Sequence, residues 1–446
     1  MQEFVNLGRG EALKRDAFVR ICDFKEIYEL LDKDVAKEQS SRCIGCANPF
    51  CHSKCPLGNF IPFWLRSNAS ENLEQAFKIS NETNPFPEIT GRVCPQDRLC
   101  EGACTLNDGY GAVMIGPIET FITEEGLKRG YKLICDTPKM DKKVAIIGSG
   151  PAGISAATYL LRAGVDVSMY EADDLPGGLL RYGIPGFKLD KSIVDRRFEI
   201  LKEAGLKIFT NCEVGKDIEF DDVANSHDAL FVAIGARKAK KANILNEDAL
   251  GCFEALDFLT AIQKGVDIGL KDKKILVIGG GDTAMDCVRS AVRCGAKEVL
   301  CAYRRDKSSM GGSKKEFINA DEEGVKFIFN ASPKEVRVND NGEVVGVIAQ
   351  KTSLNAKKLD IIKNSEFNIA CDIVVFALGF SVLAPKFLVE NGVELSENGQ
   401  IVVDRQFQSK SCGIYAGGDC VSGADLVVSA ANDGKMAAKA IISSFL

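Results

Sequence analysis

The pattern of apolar and polar positions divides the chain at Lys142-Lys143. Beyond that point, short β-branched runs alternate with stretches of helical periodicity, the signature of βαβ units on a parallel sheet. Two of these units are near copies: Lys143-Val-Ala-Ile-Ile runs into Gly148-Ser-Gly150-Pro151-Ala152-Gly153, and Lys274-Ile-Leu-Val-Ile into Gly279-Gly-Gly281-Asp282-Thr283-Ala284. Each predicts a buried strand, a glycine turn and a helix. Val165 to Glu171 predicts a second strand ending in an acid, and Cys371 to Gly379 a strand without a phosphate loop. After Gly413-Ile-Tyr-Ala-Gly417-Gly418-Asp419 a helical pattern closes the chain. Residues 1–138 are polar, cysteine-rich and broken by Pro and Gly. Helices are expected there near Ala12–Leu31 and across Glu71–Ile79, with loops holding the cysteines. No low-complexity segment or long linker separates the regions.

Length and composition narrow the class. With 446 residues, 46% of them hydrophobic, the chain can bury about three cores of ordinary size. A net charge of −6 argues against nucleic acid or an anionic membrane as the main partner. No apolar stretch is long enough to span a bilayer, and the first residues lack a signal-peptide pattern, so a cytoplasmic location is expected. In that compartment 17 cysteines do not read as disulfides. Seven lie between Cys43 and Cys104. The scattered ones, such as Cys287, Cys294 and Cys371, sit in apolar or helical contexts and read as small buried hydrophobes.

A lone G-x-G-x-x-G is weak, but here the strand before, the helix after and the acid further on are all present. Gly148 permits the tight turn, Gly150 lets the backbone approach a pyrophosphate, and Gly153 allows close helix–strand packing. Glu171 can accept hydrogen bonds from a ribose diol. The alternative is a glycine turn that only packs helix on strand. In the second loop, Gly279, Gly281 and Ala284 fill the three places, and Tyr303-Arg304-Arg305 stands where the ribose acid would be. Two guanidinium groups there suit a 2′-phosphate, which selects NADPH over NADH; the alternative is a solvated charge pair. Two such sites in one chain imply a tightly held flavin facing an exchanging nicotinamide. Asp419, after Gly417-Gly418, suits a flavin ribityl chain as well as it suits an ordinary turn.

The cysteines read Cys43-x2-Cys46-x4-Cys51-x3-Cys55-Pro and Cys94-Pro-x4-Cys100-x3-Cys104. Three closely spaced thiols and a fourth followed by Pro is the run of two-cluster ferredoxins, where the fourth ligand serves the other cluster. The middle spacing is longer here, so the loop differs. Seven thiolates are one short of two four-cysteine sites. Zinc is the competitor, since Cys43-x2-Cys46 alone fits a zinc ribbon. An electron-accepting centre is what a flavin beside NADPH needs. His52 inside the loop reads as a hydrogen-bond donor near the cluster.

These residues resemble the small (β) subunit of NADPH-dependent glutamate synthase and the related N-terminal half of dihydropyrimidine dehydrogenase. The resemblance covers essentially the whole chain. Its most specific parts are the cysteine pattern, Gly177 to Leu189, Tyr303-Arg304-Arg305, and Glu316 to Gly324. It implies one [4Fe–4S] cluster on Cys43, Cys46, Cys51 and Cys104. A second would sit on Cys55, Cys94 and Cys100 with Glu119 as the missing ligand; the other reading of Glu119 is a helix N-terminal acid. It further implies that Gly177, Gly178 and Ile184-Pro185 lie beside the isoalloxazine ring and that Gly418 and Asp419 hold the flavin. Pro151, Ala152, Leu179, Gly235, Asp282, Thr283 and Gly379 complete the candidate cofactor-binding set. One departure is Gly311-Gly312-Ser313 after Met310, where many relatives carry Pro-Ala; it bears on nicotinamide docking.

The expectation is an α/β protein in which a helical iron–sulfur domain (1–138) precedes two Rossmann-like domains. The NADPH domain (251–380) would be inserted in the FAD domain (139–250 and 381–446). Electrons would run from NADPH through FAD and two [4Fe–4S] clusters to an acceptor, the cofactors supplying the chemistry and no side-chain acid, base or nucleophile being required. The favoured acceptor is the large subunit of glutamate synthase, in a hetero-oligomer that makes glutamate from glutamine and 2-oxoglutarate. Another acceptor, as in a ferredoxin:NADP, bifurcating or sulfide-linked reductase, is the first rival. A disulfide reductase needs a redox cysteine pair by the flavin, and Gly177 to Leu189 contains no cysteine. A zinc-binding interaction protein would be colourless and free of flavin.

Overall fold

The structure is a computed structural model that describes residues 3–134, 137–355 and 358–446; Met1 and Gln2, which open the N-terminal reading above, lie outside them. The N-terminal region is helical: α1 (Ala17–Arg20), α2 (Lys33–Ser41), α3 (Phe50–Lys54), α4 (Ile61–Ala69), α5 (Leu73–Thr83), α6 (Pro87–Val93) and α7 (Ile115–Lys128). Side chains of Asp16, Asp32 and Asn72 accept the N–H groups of Phe18, Val35 and Gln75 and fix three of the starts. Trp64, Phe77, Ile118 and Ile122 form the centre of its core. The helix expected across Glu71–Ile79 is α5, moved two residues on by the Asn72 cap. The helix expected near Ala12–Leu31 shrinks to the four residues of α1. Leu13 and Phe18 are 68% and 83% exposed, so no apolar stripe is buried there. The segment instead doubles back, Arg15 N–H donating to Ile27 and Glu29 N–H to Leu13.

Two equivalent units follow. The first runs β1 (Lys143–Ile147), α8 (Pro151–Arg162), β2 (Asp166–Tyr170), α9 (Leu179–Tyr182), α10 (Lys191–Glu203), β3 (Lys207–Phe209), α11 (Phe220–Asn225) and β4 (Ala229–Val232). The chain then leaves through β5 (Lys238–Ala239). The second unit runs β6 (Cys252–Glu254), α12 (Ala255–Gln263), β7 (Lys274–Ile278), α13 (Asp282–Arg293), β8 (Glu298–Tyr303), α14 (Lys314–Glu322) and β9 (Lys326–Phe329). An antiparallel sheet of β10 (Ala331–Val338), β11 (Val344–Asn355) and β12 (Lys358–Ile369) intervenes before β13 (Ile373–Phe376). The chain returns through β14 (Phe380–Ser381), α15 (Lys386–Glu390), β15 (Ile414–Ala416), α16 (Asp419–Ser422) and α17 (Val427–Phe445).

The five-stranded sheets are ordered β15-β4-β1-β2-β3 and β6-β13-β7-β8-β9, and every pairing in both is parallel. Strands β1, β4, β7 and β13 are buried almost throughout, as parallel strands covered on both faces must be. The outgoing and returning crossings lie side by side: β5 pairs antiparallel with β14. The alternating run of β10 to β12 was not anticipated from the sequence. Its exposed face carries polar side chains between apolar ones, and such a pattern is quiet beside the apolar runs of the parallel strands.

The helical region is tied to the second unit by buried charge. The Glu323 carboxylate accepts from Arg20 Nε at 2.8 Å, Arg289 Nε at 3.0 Å and Arg293 Nη1 at 2.6 Å, and these four side chains are essentially excluded from solvent. Arg289 and Arg293 also stack on Phe187, 4.3 and 4.0 Å from the ring centroid. Burial alone would push Glu323 up, but the hydrogen bonds of Arg293 and Arg289 hold it down at about 2. Glu323→Gln would leave three guanidinium groups buried with one charge fewer to face. It should lower stability by about 3–5 kcal/mol in a denaturant titration. Glu74→Gln, which breaks an exposed pair with Lys78, should change it by less than about 0.5 kcal/mol.

Candidate functional site

Both glycine loops are built alike. Gly148 (φ 104°) and Gly279 (φ 157°) each press against the carbonyl of the neighbouring crossing strand, Ala233 and Ala377, leaving no room for a Cβ. Gly150 and Gly281 stand at the N-caps of α8 and α13, and space for a Cβ lies open at both. That open space beside a helix N-terminus is what a dinucleotide pyrophosphate requires. The third position touches the strand in the first loop, where a Cβ on Gly153 would strike the Gly148 carbonyl; in the second, Ala284 is fully buried.

Around the first loop the structure gathers most of the expected residues. Pro151 begins α8, and buried Ala152 touches both Gly418 and Gly434 of the C-terminal segment. Glu171 is buried at the end of β2, where its carboxylate accepts the Ser149 N–H and hydroxyl and the Asp173 N–H. Gly177 N–H donates to Ser149 Oγ at 2.8 Å, and Gly178 rests on the backbone of Gly150. Leu179 opens α9 and accepts from Ile184 N–H, next to Pro185. Lys191 Nζ, inside the fold, donates to the carbonyls of Leu180 and Ile184; burial and then Arg181 lower it to about 7. Gly235 follows β4 in a left-handed conformation. Gly418 precedes Asp419, which burial pushes up to about 7, with the Asp425 N–H opposing and the Asp425 and Asp433 carboxylates adding to the rise.

Around the second loop, the Tyr303 ring lies over Gly280 and its hydroxyl donates to Ser309 at 2.7 Å. Arg304 is exposed and Arg305 half-buried. Their carbonyls accept from Thr352 and Asn330, so the antiparallel sheet holds the pair in place. Arg305 Nε is buried without a hydrogen-bond partner, a vacant donor that an anionic group would satisfy. Asp282 and Thr283 open α13, and Asp282 accepts the Ser313 N–H at 2.8 Å. Gly379, two residues beyond the Ala377 carbonyl that abuts Gly279, accepts from Lys240 N–H where the chain crosses between units.

The thiols fall into two groups. Cys43, Cys46, Cys51 and Cys104 line one small cavity walled by Pro49, Pro62, Leu65 and Val113. Burial pushes the Cys43 thiol up and Cys51 to about 12, and each also feels Cys104 and Cys46. Cys55, Cys94 and Cys100 form the other group. Burial raises all three, and each also senses the nearby Glu119. Glu119 is buried on α7, raised by burial to about 7, and its carboxylate accepts from Asn84, Asn59 and Thr90. The donors that burial raises, Cys43 and Cys51 in the first group and Cys55, Cys94, Cys100 and Glu119 in the second, are of the kind that fits a cationic iron–sulfur core able to supply the compensating charge. Among the described residues no group of three His, Cys, Asp or Glu side chains is placed to hold a single metal ion. Sequence reading missed Asn59, Asn84 and Thr90, because nothing in their spacing links them to Glu119. His52 Nδ1 lies 3.1 Å from the Asn59 carbonyl, so it supports the loop between the two groups.

Comparison with known proteins finds two families along the chain. Residues 20–131 match the family described as dihydropyrimidine dehydrogenase domain II, 4Fe-4S cluster, and residues 142–434 match the pyridine nucleotide-disulphide oxidoreductase family. The chain is 42% identical to the glutamate synthase [NADPH] small chain of Escherichia coli (strain K12), over 99% of this chain and 98% of that one. It is 44% identical to the putative oxidoreductase AegA of the same organism, over 97% of this chain and 69% of that longer one. Among solved structures, Mycobacterium tuberculosis FprA in complex with NADPH shares the fold with a TM-score of 0.59 at 19% identity, over 68% of this chain and 84% of that one. Among the described residues no helix is long and apolar enough to cross a membrane. With a 4Fe-4S domain ahead of a dinucleotide-binding oxidoreductase module and this identity over nearly its full length, the chain belongs to the family of the glutamate synthase [NADPH] small chains.

Proposed function

We propose that the chain collects electrons from NADPH and delivers them, through FAD and two [4Fe–4S] clusters, to a large cytoplasmic partner subunit that makes glutamate. The observation that carries this reading is the sorting of seven cysteines and Glu119 into two separate groups of four beside a pair of matched dinucleotide loops. In this reading 1–138 is the cluster domain, 139–250 with 381–446 holds FAD, and 251–380 holds NADPH. FAD, when bound, supplies the exchange between paired and single electrons. The protein's part is to bind and orient. The loop at Gly148–Gly153, with Glu171, Gly177, Gly178, Gly418 and Asp419, would hold the flavin. Lys191 fixes the backbone of Leu180 and Ile184, in the segment that would flank the flavin. Tyr303 covers the second loop, and Arg304 with Arg305 would take the 2′-phosphate.

The resemblance to AegA, a longer protein described as an oxidoreductase, keeps a second acceptor in view: the same module could feed another protein. Affinity capture from native extract separates the two, since a large amidotransferase-type chain should co-purify if glutamate synthase is right.

Anaerobically purified protein should contain about eight irons per chain, measured by colorimetric assay; about four would leave room for one cube only. Glu119→Ala should alter the electron paramagnetic resonance of one reduced cluster and spare the other, and an unchanged spectrum removes Glu119 as a ligand. Replacing Arg304 and Arg305 together by Ala should raise KM for NADPH at least about tenfold and leave KM for NADH nearly unchanged, by steady-state assay with an artificial electron acceptor.

A further inference from the structure

The loop that carries Cys94 and Cys100 touches the second glycine loop directly. Between those cysteines, Arg98 Nη2 meets Asp282 Oδ2 at 2.8 Å and its Nη1 donates to the Gly311 carbonyl. Asp97 beside it accepts from Ser313 Oγ and Lys314 N–H, both at 3.2 Å. The loop at Met310–Ser313 in turn rests on the glycines, Gly312 N–H donating to the Gly280 carbonyl at 2.9 Å.

This contact is poorly explained as a stabilising one. The Arg98 and Asp282 side chains are 39% and 32% exposed, and an ion pair so wet contributes little to folding. Its position is better explained by charge. Asp282 is the first residue of α13, so its carboxylate stands at the helix end where the pyrophosphate would arrive. Two anions at that end repel each other, and a cation between them relieves the cost. The backbone N–H groups of the loop carry no net charge, and Arg304 and Arg305 lie beyond β8 at the 2′-phosphate side. Arg98 is already in contact with Asp282 at the helix end and partly exposed. Asp282 keeps a second partner, the Ser313 N–H, so Arg98 can leave it without stranding the carboxylate.

We propose that Arg98, supplied by the cluster domain, is a nucleotide-binding residue that exchanges Asp282 for the pyrophosphate of NADPH. The proposal rests on the assignment of the second glycine loop as the NADPH site. Its test uses the full chain purified with its flavin and clusters, titrated calorimetrically with two probes: NADP⁺, and adenosine 2′-monophosphate, which lacks the pyrophosphate. Arg98→Gln should weaken NADP⁺ binding about ten- to hundredfold, the range for a charge-assisted hydrogen bond, and leave adenosine 2′-monophosphate within about twofold. Should Arg98→Gln not retain its flavin, Arg98→Lys carries the same test, with several-fold weaker NADP⁺ and an unchanged second probe. Wild-type NADP⁺ affinity in the variant, or a parallel loss of both probes, overturns the role. The Arg304→Gln, Arg305→Gln double variant separates this from failure of the underlying assignment. It should weaken both probes, and if it weakens neither, the second loop is not the NADPH site.

Discussion

One buried carboxylate, Glu323, fixes how the helical region meets the second dinucleotide unit. It takes hydrogen bonds from an arginine of α1 and two arginines of α13 while standing at the end of α14. Apolar side chains could fill that space at no greater cost, because buried ion pairs rarely add net stability over well-packed hydrophobes. What charge adds is direction, since a fork of guanidinium donors accepts few geometries. Three elements are thereby set against one another, and with them the loop that follows Met310 and the loop between Cys94 and Cys100. Phe187, stacked under Arg289 and Arg293, brings the segment beside the first glycine loop into the same joint. Lys188, next in the chain, pairs with Asp286 of α13 at 2.8 Å. Cysteine groups, first unit and second unit thus share one polar hub.

The parts of this arrangement visible in the sequence are those fixed by local chain physics. The apolar strand runs, the glycine turns and the Tyr303-Arg304-Arg305 triplet each need particular residues at short spacing, and each stands where that spacing requires. The thiols were legible as a set, because seven cysteines in sixty residues have few other uses; their sorting came from resemblance, and the cavity around the first group supports it. What the sequence hid depends on partners far apart. Arg20 looked like one more helical position and is a buried anchor 303 residues from its acid. The Asp-Glu-Glu-Gly ending of the 316–324 segment stood out as a family feature, with no means of telling that Glu323 faces three arginines. The donors to Glu119 come from the turn before α4, the end of α5 and the middle of α6, which no periodicity connects.

In the proposed role, Glu119 is a carboxylate prepared for a metal with its charge only partly developed beforehand. Three neutral donors orient it, and among the described residues no cation is a hydrogen-bond partner; burial raises it to about 7. The neighbouring thiols are in the same condition. A group of acids kept uncharged in an apolar wall costs the apo-fold little and gives up its protons together when a strongly cationic core arrives.

The last helix gives the chain a particular order of completion. Strand β15 supplies one edge of the first sheet, α17 packs along α8, and Lys435 of α17 donates to the carbonyls of Leu57 and Thr83, beside the second cysteine group. During synthesis the cysteines emerge first, and the inserted unit follows with all its own strands. The residues that seal the first sheet and brace the cysteine region are made only after the whole inserted unit. The inserted unit can therefore mature while its host is still open, and the second cysteine group gains the support of Lys435 only after that whole unit has been made.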